Sequence, residues 1–396
     1  MTKKKTVLLI FLVAFNLRLG ISSVAPILAT IQRSLHLSNF SVSLLISIPV
    51  ICMGVLAFLV AFVQKKLGRN KGIFLFLLIL GVATLSRGVF NSFLGLVVST
   101  LLIGCSIALI GPLLSGFIKE IFPEKAGLLI GIYSLSMGLG SVSASSLMGP
   151  LTRYFNGQWS TALAVWGLLA IISGFIWKLL ADKTTSPATS KQFGTSFFAD
   201  KKLWKLALFF GIQSGVFYSF TTWITSALLS KGVSPIWSIT LLTTFTAVQM
   251  ISSFLIPTLM DKFGTTKQWI ICCSFCLLGS ALLLIFANRL FMLVISILLA
   301  AIATGGFFPI AMLLPIRESQ DASQASIYAS IVQAFGYMIG GITPVLIGSF
   351  IDLTNSTASL YWFLLIGAIL LLIVGHSLES EETDGKQTRV SQSNNH

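Results

Sequence analysis

Long apolar runs separated by short polar interruptions follow one another along the whole chain. Twelve runs of about 20 residues lie near 6–30, 40–63, 72–90, 93–118, 126–150, 159–181, 205–229, 234–259, 269–287, 290–315, 325–350 and 357–377. A helix of roughly 20 apolar residues crosses a ~30 Å hydrocarbon layer, whereas a membrane-spanning strand is a segment of only ~10 residues with alternating polarity. The pattern therefore predicts an all-α membrane protein with twelve transmembrane helices.

The composition agrees with this pattern. Of the 396 residues, 55% are hydrophobic and 10% are charged, whereas an average soluble domain carries about 25% charged residues. The net charge of +14 would suit a nucleic-acid-binding protein, but the basic residues form short clusters between apolar runs instead of lining one helix face. We therefore expect the lipid bilayer as the surrounding medium and no nucleic-acid partner.

Lysine and arginine are distributed unequally between the two sides of the predicted membrane domain. The side that holds both chain ends carries twenty of the 26 basic residues. The opposite side carries Arg33, Arg153, Lys231 and Arg289, and two arginines fall within the apolar runs. Because cytoplasmic loops are enriched in lysine and arginine, the sequence predicts a multi-pass protein of the cytoplasmic (inner) membrane with both termini in the cytoplasm.

The longest polar interruption, 182–204, divides the twelve runs into two sets of six. Its serine, threonine, lysine and proline content is typical of a flexible or interfacial linker. We therefore predict an N-terminal six-helix bundle over 1–181, a cytoplasmic linker over 182–204 and a C-terminal six-helix bundle over 205–377. The segment 378–396 has too few apolar residues to order itself, so we expect a disordered cytoplasmic tail.

The two halves repeat short motifs at an offset of 195 or 196 residues. The motif Lys66-Leu67-Gly68 recurs as Lys262-Phe263-Gly264, and Ile132-Tyr133 recurs as Ile327-Tyr328. Two parallel-related halves of six helices predict pseudo-symmetric bundles with the solute site between them near the membrane midplane. The basic segment VQKKLGRNK is either a topology signal or a gate built from Lys66, Gly68 and Arg69.

Several segments resemble a known transporter family. NLRLGISSVAPIL in the first run, FPEKAGLLIGIYSLSMGLG before and within the fifth, and ASIVQAFGYMIGGITPVLIGSFID in the eleventh are similar to the cyanate and nitroimidazole permease (CynX/NimT) branch of the major facilitator superfamily. The resemblance covers nearly the whole chain, although Leu19 stands where that branch typically has proline. It implies a carrier of small solutes, and it favours Gln213, Tyr218 and Gln333 as cavity residues. The alternative is that these three have a structural role, such as an interhelical hydrogen bond.

Arg18 is the most informative residue within a span. It lies ~18 Å into the first run, close to the midplane, where a cation costs ~2.5–3.5 kcal/mol and by default marks a functional pathway. All twelve acidic residues fall outside the spans or at their edges, so no carboxylate within the membrane is predicted to neutralise it. Arg18 is therefore either an anion site, with Asn16 as a weaker candidate beside it, or a structural arginine bonded inside the protein.

Arg87 lies ~22 Å along the third run, toward the outer face. Its side chain either extends to the outer interface or lines the solute cavity.

The pattern contains no grouping of residues that an enzyme would need. We find no histidine, aspartate or glutamate cluster within a span, and the five cysteines lie in apolar runs without partners for a metal site. We therefore expect no catalytic residue, metal or cofactor, and a protein that acts as a monomer. The predicted function is secondary active or facilitative transport of a small polar, anionic solute by alternating access. The alternative is a multidrug or hydrophobic-compound efflux carrier of the same superfamily.

Overall fold

The computed structural model describes residues 3–121, 126–181, 200–260, 262–263, 265–287, 289–317 and 322–393. Within these ranges the regular structure is helical, without strands. The α-helices are α1 (Lys3–Ser22), α2 (Leu28–Ser34), α3 (Asn39–Val55), α4 (Val60–Leu67), α5 (Arg69–Ser86), α6 (Phe93–Ile121), α7 (Ala126–Tyr154), α8 (Trp159–Ala164), α9 (Trp166–Leu180), α10 (Lys201–Ser230), α11 (Pro235–Met260), α12 (Thr266–Phe286), α13 (Leu290–Arg317), α14 (Ala322–Thr354) and α15 (Ala358–Ser393).

Each predicted span corresponds to one helix or to a pair of consecutive helices. Nine helical segments of the described residues are long and apolar enough to cross a membrane. The three other predicted spans are α3 with α4, which a 3-10 turn over Leu56–Leu59 separates, and the long helices α7 and α10. The prediction of an all-α membrane protein is confirmed.

The two halves pack by the same scheme. In the N-terminal half, α1 packs on α7, α3 on α6, and α5 on both α6 and α9. In the C-terminal half, α10 packs on α14, α11 on α13, and α12 on both α13 and α15. In each half, the first span packs on the fifth, the second on the fourth, and the third on the fourth and sixth. The two bundles are therefore pseudo-symmetric.

Most contacts between the halves come from two helix pairs, α3 with α14 and α7 with α11. Glycines bring the backbones of the first pair into contact. A Cβ atom on Gly54 of α3 would lie 2.5 Å from the carbonyl oxygen of Ala334 in α14, and one on Gly341 of α14 would lie 3.0 Å from the backbone nitrogen of Ile51 in α3. Small residues allow such close approach between membrane helices.

The secondary structure of the predicted linker and of the predicted tail differs in part from the prediction. Most of the predicted linker, 182–199, lies outside the described residues, and α10 already begins at Lys201, so 201–204 are helical. The tail was predicted to be disordered from 378, but α15 continues to Ser393. The glutamate, lysine, arginine and glutamine residues of this segment have high helix propensity and favour the extension, whereas Gly385 and the serines and threonines oppose it.

Helix α1 ends close to the middle of the first span. The backbone nitrogen of Val24 donates to the carbonyl of Ile21, at 3.2 Å, instead of to that of Gly20. A 3-10 turn over Ala25–Ile27, which contains Pro26, then leads into α2. The break leaves the Gly20 carbonyl without its usual helical partner and places the following residues at the boundary between the halves.

Candidate solute-binding site

A cavity lies between the two halves, next to the end of α1. The N-terminal half contributes Arg18, Ile21, Ser22, Ala25, Ile46, Ser141 and Ser145, and the C-terminal half contributes Phe217, Tyr218, Thr221, Leu242 and Thr246. Its volume, measured for the centre of a water-sized sphere, is about 20 Å³, and one water needs roughly 10–15 Å³ on this measure. In this conformation the cavity therefore suits a solute of only a few heavy atoms.

Arg18 is the charged residue of this cavity. Protein surrounds it on all sides, yet its side chain keeps partial exposure, because the guanidinium faces the internal space. Its Cζ lies 5.9 Å from the centroid of the Phe217 ring, within the range of a cation–π contact. The hydroxyls of Tyr218, Tyr133 and Tyr337 are near enough to the guanidinium to interact with it electrostatically.

No carboxylate among the described side chains compensates this charge. The acidic side chains that the structure describes, Asp200 and Asp352, lie at the beginning of α10 and near the end of α14, at opposite ends of the bundle. Arg18 contacts only an aromatic ring and neutral hydroxyls in the described part of the chain. A buried cation with such surroundings is a candidate binding group for an anion.

Of the six predicted binding residues, the structure brings Arg18 and Tyr218 together. Asn16 projects elsewhere from α1. Its Nδ2 donates to the carbonyl of Leu12, at 2.7 Å, and to Oγ of Ser173 in α9, at 2.9 Å. Asn16 therefore ties α1 to α9 inside the N-terminal bundle.

Arg87 lies inside the N-terminal bundle and is 1% exposed. It donates to the carbonyl of Gly20 at 3.1 Å, to Oγ of Ser99 at 3.2 Å and to Oγ1 of Thr100 at 2.9 Å. The structure thus places it neither at the outer interface nor in the cavity. It bonds the carbonyl that the break in α1 sets free, and this contact holds the segment just beyond Arg18.

The two predicted glutamines do not line the cavity. Gln213 is 2% exposed, and its Nε2 donates to Oγ of Ser214 at 2.8 Å. At the repeat offset of 195 residues it corresponds to Arg18, so the C-terminal half has a neutral amide where the N-terminal half has a cation. Gln333 is half-buried on α14, one turn before Tyr337.

Sequence reasoning did not single out the hydroxyl residues of the cavity wall. Serine and threonine are common in membrane helices, and most of them bond to a carbonyl of their own helix. The stretch GLGSVSASS in α7, which is rich in small and hydroxyl residues, could have indicated this polar part of the cavity wall. The cavity residues of that stretch are Ser141 and Ser145.

The basic segment between α4 and α5 lies away from the cavity. Gly68 has φ of +73°, a conformation that favours glycine, and it ends α4 and begins α5. Lys66 Nζ lies 4.7 Å from the centroid of the Phe62 ring. Arg69 packs on Gly116 of α6, where a Cβ would lie 2.9 Å from its Nη2.

The chain matches the Major Facilitator Superfamily over residues 10–341 and, in a second overlapping match, over 230–393. It belongs to this family of membrane transporters, and it is not an enzyme. The predicted architecture of two six-helix bundles is thereby confirmed.

Individual relatives are similar over most of their length. The chain is 31% identical to "Uncharacterized transporter YycB" of Bacillus subtilis (strain 168) over 365 residues, 92% of this chain and 90% of the relative. It is 25% identical to the cyanate transport protein CynX of Escherichia coli (strain K12), covering 85% and 87% of the two chains. It is 26% identical to the 2-nitroimidazole transporter of the same organism, covering 92% and 93%.

The fold also matches a solved structure. A bacterial homologue of the human lysosomal transporter Spinster, in an inward-facing and occupied conformation, superposes with a TM-score of 0.78 at 16% identity, covering 96% of this chain and 97% of that one.

Proposed function

We propose that this protein carries a small monovalent anion across the membrane by alternating access of the cavity between its two halves. The observation that carries the proposal is the position of Arg18, a buried cation that faces the inter-half cavity and, among the side chains that the structure describes, contacts neutral groups only. An anion in the cavity would neutralise the positive charge of Arg18. A guanidinium suits this role because its planar set of donors matches paired acceptor atoms.

The charge of the site favours a monoanion over a dianion. Arg18 is the one cation that lines the cavity within the described part of the chain. A dianion would retain a net negative charge in a low-dielectric interior, where an unpaired charge is costly. That one relative is a cyanate transport protein agrees with this solute class.

For the orientation, we propose a protein of the cytoplasmic membrane with both termini in the cytoplasm. The support is the distribution of basic residues, twenty on the side of the chain ends and four on the other. With this orientation, Asn39 and Asp352 lie on the outer side. The basic segment with Lys66, Gly68 and Arg69 lies on the cytoplasmic side, where we retain the hypothesis of a gate.

We expect millimolar potassium nitrate and potassium cyanate to raise the melting temperature of the purified protein more than potassium sulfate of equal ionic strength, at concentrations below those at which sulfate stabilises folded proteins in general. The reason is that a ligand which binds the folded state stabilises it by RT ln(1 + [L]/Kd). Uptake of the stabilising anion into proteoliposomes would then establish transport.

Stabilisation by hydrophobic organic cations, without any response to the monoanions, would contradict the proposal. That result would favour the efflux of hydrophobic compounds instead.

A further inference from the structure

Three serines line the wall of the cavity on the N-terminal half. Ser22 belongs to the end of α1, and Ser141 and Ser145 lie one turn apart on α7. The Oγ atoms of Ser22 and Ser141 are 2.9 Å apart, so one of the two hydroxyls donates to the other. The second hydroxyl of this pair keeps its proton for another acceptor.

Ser145 also has an unused hydroxyl. It is 2% exposed, lines the cavity, and has no hydrogen-bond partner among the residues that the structure describes. The threonines on the opposite wall differ, because Thr221 donates to the carbonyls of Phe217 and Tyr218, and Thr246 donates to that of Thr243. Ser145 and the Ser22–Ser141 pair therefore place unused donors on the same half as Arg18, and the Tyr218 hydroxyl is a further donor on the opposite wall.

We propose that Ser145 and the Ser22–Ser141 pair are the specificity-determining donors for the anion that Arg18 attracts. This inference rests on the proposed function and refines the solute class. Buried donors left without acceptors cost free energy, so the site favours a monoanion with two or more oxygen or nitrogen acceptor atoms over a spherical halide. The apolar wall with Phe217 on the other half would contact the remaining side of the ion.

The test compares Ser145→Ala with Ser146→Ala, a neighbouring serine of α7 that does not line the cavity and donates to the Ser143 carbonyl at 3.3 Å. Binding of potassium nitrate, cyanate and chloride is measured by ligand-induced thermal stabilisation. We expect Ser145→Ala to weaken nitrate and cyanate binding about tenfold, because the lost bond has an ionic acceptor. Chloride binding should change little, and Ser146→Ala should match the parent protein.

Two different results would separate this inference from the proposed function. If the parent protein binds nitrate or cyanate and Ser145→Ala keeps the parent's preference for them over chloride, the serine assignment is wrong while the anion site stands. If the parent binds none of the three anions, both proposals are wrong. Ser141→Ala provides a second variant should Ser145→Ala fold poorly.

A separate observation concerns the end of the bundle opposite the linker. Asp352, near the end of α14, accepts hydrogen bonds from the backbone nitrogens of Asn39 and Phe40, both at 2.8 Å, and from Asn39 Nδ2 at 2.7 Å. Asn39 Oδ1 in turn accepts from Gln32 Nε2 at 2.8 Å. A carboxylate from the C-terminal half therefore caps the first turn of α3 in the N-terminal half, where an anion is favourable.

We infer that Asp352 is a latch that holds this end of the bundle closed. Separation of α3 from α14 at this end breaks three hydrogen bonds at once and removes the carboxylate from the first turn of α3, so its backbone donors must bond water instead. Asp200 offers a matched control, because it caps α10 through Lys202 N at 2.8 Å and bonds Tyr328, both within its own half. Loss of Asp352 should thus favour opening, and loss of Asp200 should not.

The experiment measures the distance between spin labels on Arg33→Cys and Leu353→Cys, two exposed positions at this end, in protein whose five native cysteines have been replaced. We expect Asp352→Asn to shift the distribution to longer distances, and Asn39→Ala, which removes one of the three bonds, to shift it less. Asp200→Asn should leave it unchanged. Distributions for Asp352→Asn and Asn39→Ala that superpose on the parent's would refute the latch.

Discussion

Replacing Arg18 with glutamine is expected to reduce the affinity for the transported anion about 100-fold or more while the protein remains folded. The estimate assumes loss of two hydrogen bonds between charged groups, each contributing about 1.5–3 kcal/mol. Insertion and stability should be unchanged or improved, since a midplane charge that costs ~2.5–3.5 kcal/mol is removed. Arg18→Lys should retain partial affinity, because an ammonium keeps the charge but lacks the planar pair of donors.

Arg87→Gln is the control for this experiment. Arg87 donates three hydrogen bonds inside the N-terminal bundle, so its loss should lower the melting temperature whether or not an anion is present. Thermal stabilisation and uptake are measured for both variants in the same preparations. If Arg18→Gln instead behaves like Arg87→Gln, with lower stability and unaltered anion affinity, Arg18 has a structural role and is not part of the binding site.

Replacing Gly54 with alanine is expected to weaken the packing of the two halves. Its Cβ would lie 2.5 Å from the carbonyl oxygen of Ala334 and 3.0 Å from the backbone nitrogen of Met338, so α3 and α14 must move apart. Overpacking of this kind costs about 1–3 kcal/mol, while alanine itself is about 0.5–1 kcal/mol better than glycine in a helix.

Gly149→Ala serves as the comparison, because it lies on α7, at the other pair of helices that joins the halves. The nearest atom to its added Cβ is Ile239 Cδ1 at 3.7 Å, an ordinary contact. We expect Gly54→Ala to melt several degrees below Gly149→Ala, since 1 kcal/mol corresponds to about 2–4 °C in domains of about this size. Equal melting temperatures would show that α3 and α14 separate without cost.

The hydropathy pattern predicts the number and the positions of the spanning helices, because a bilayer requires ~20 apolar residues for every crossing. The depth of a charged residue could also be read from its place in a run, and Arg18 was found in this way. Depth does not reveal which neighbour a side chain faces. Asn16 lies two residues from Arg18 in α1, yet it bonds Ser173 in α9.

The same limit applies to Arg87 and to the serines. The acceptor of Arg87, the Gly20 carbonyl, becomes available only because α1 breaks after Ser22. Pro26 is a sequence signal for a break at this point, but it does not reveal that Arg87 bonds the carbonyl that is set free. Ser145 has no carbonyl partner within its own helix, unlike Ser136 and Ser146 of the same helix. That property depends on the rotamer of the side chain and on the neighbouring helices, so the structure is needed to identify it.

The confinement of the cavity's cation to one half has an electrical consequence. In the proposed alternating-access cycle, Arg18 passes from one side of the insulating barrier to the other without itself crossing the membrane. An empty carrier then transfers one positive charge through the transmembrane field, which is worth up to about 2.3 kcal/mol at 100 mV. A carrier loaded with a monoanion is neutral at this point and transfers none. The membrane potential would therefore act on the return of the empty carrier and leave the loaded step almost insensitive to voltage.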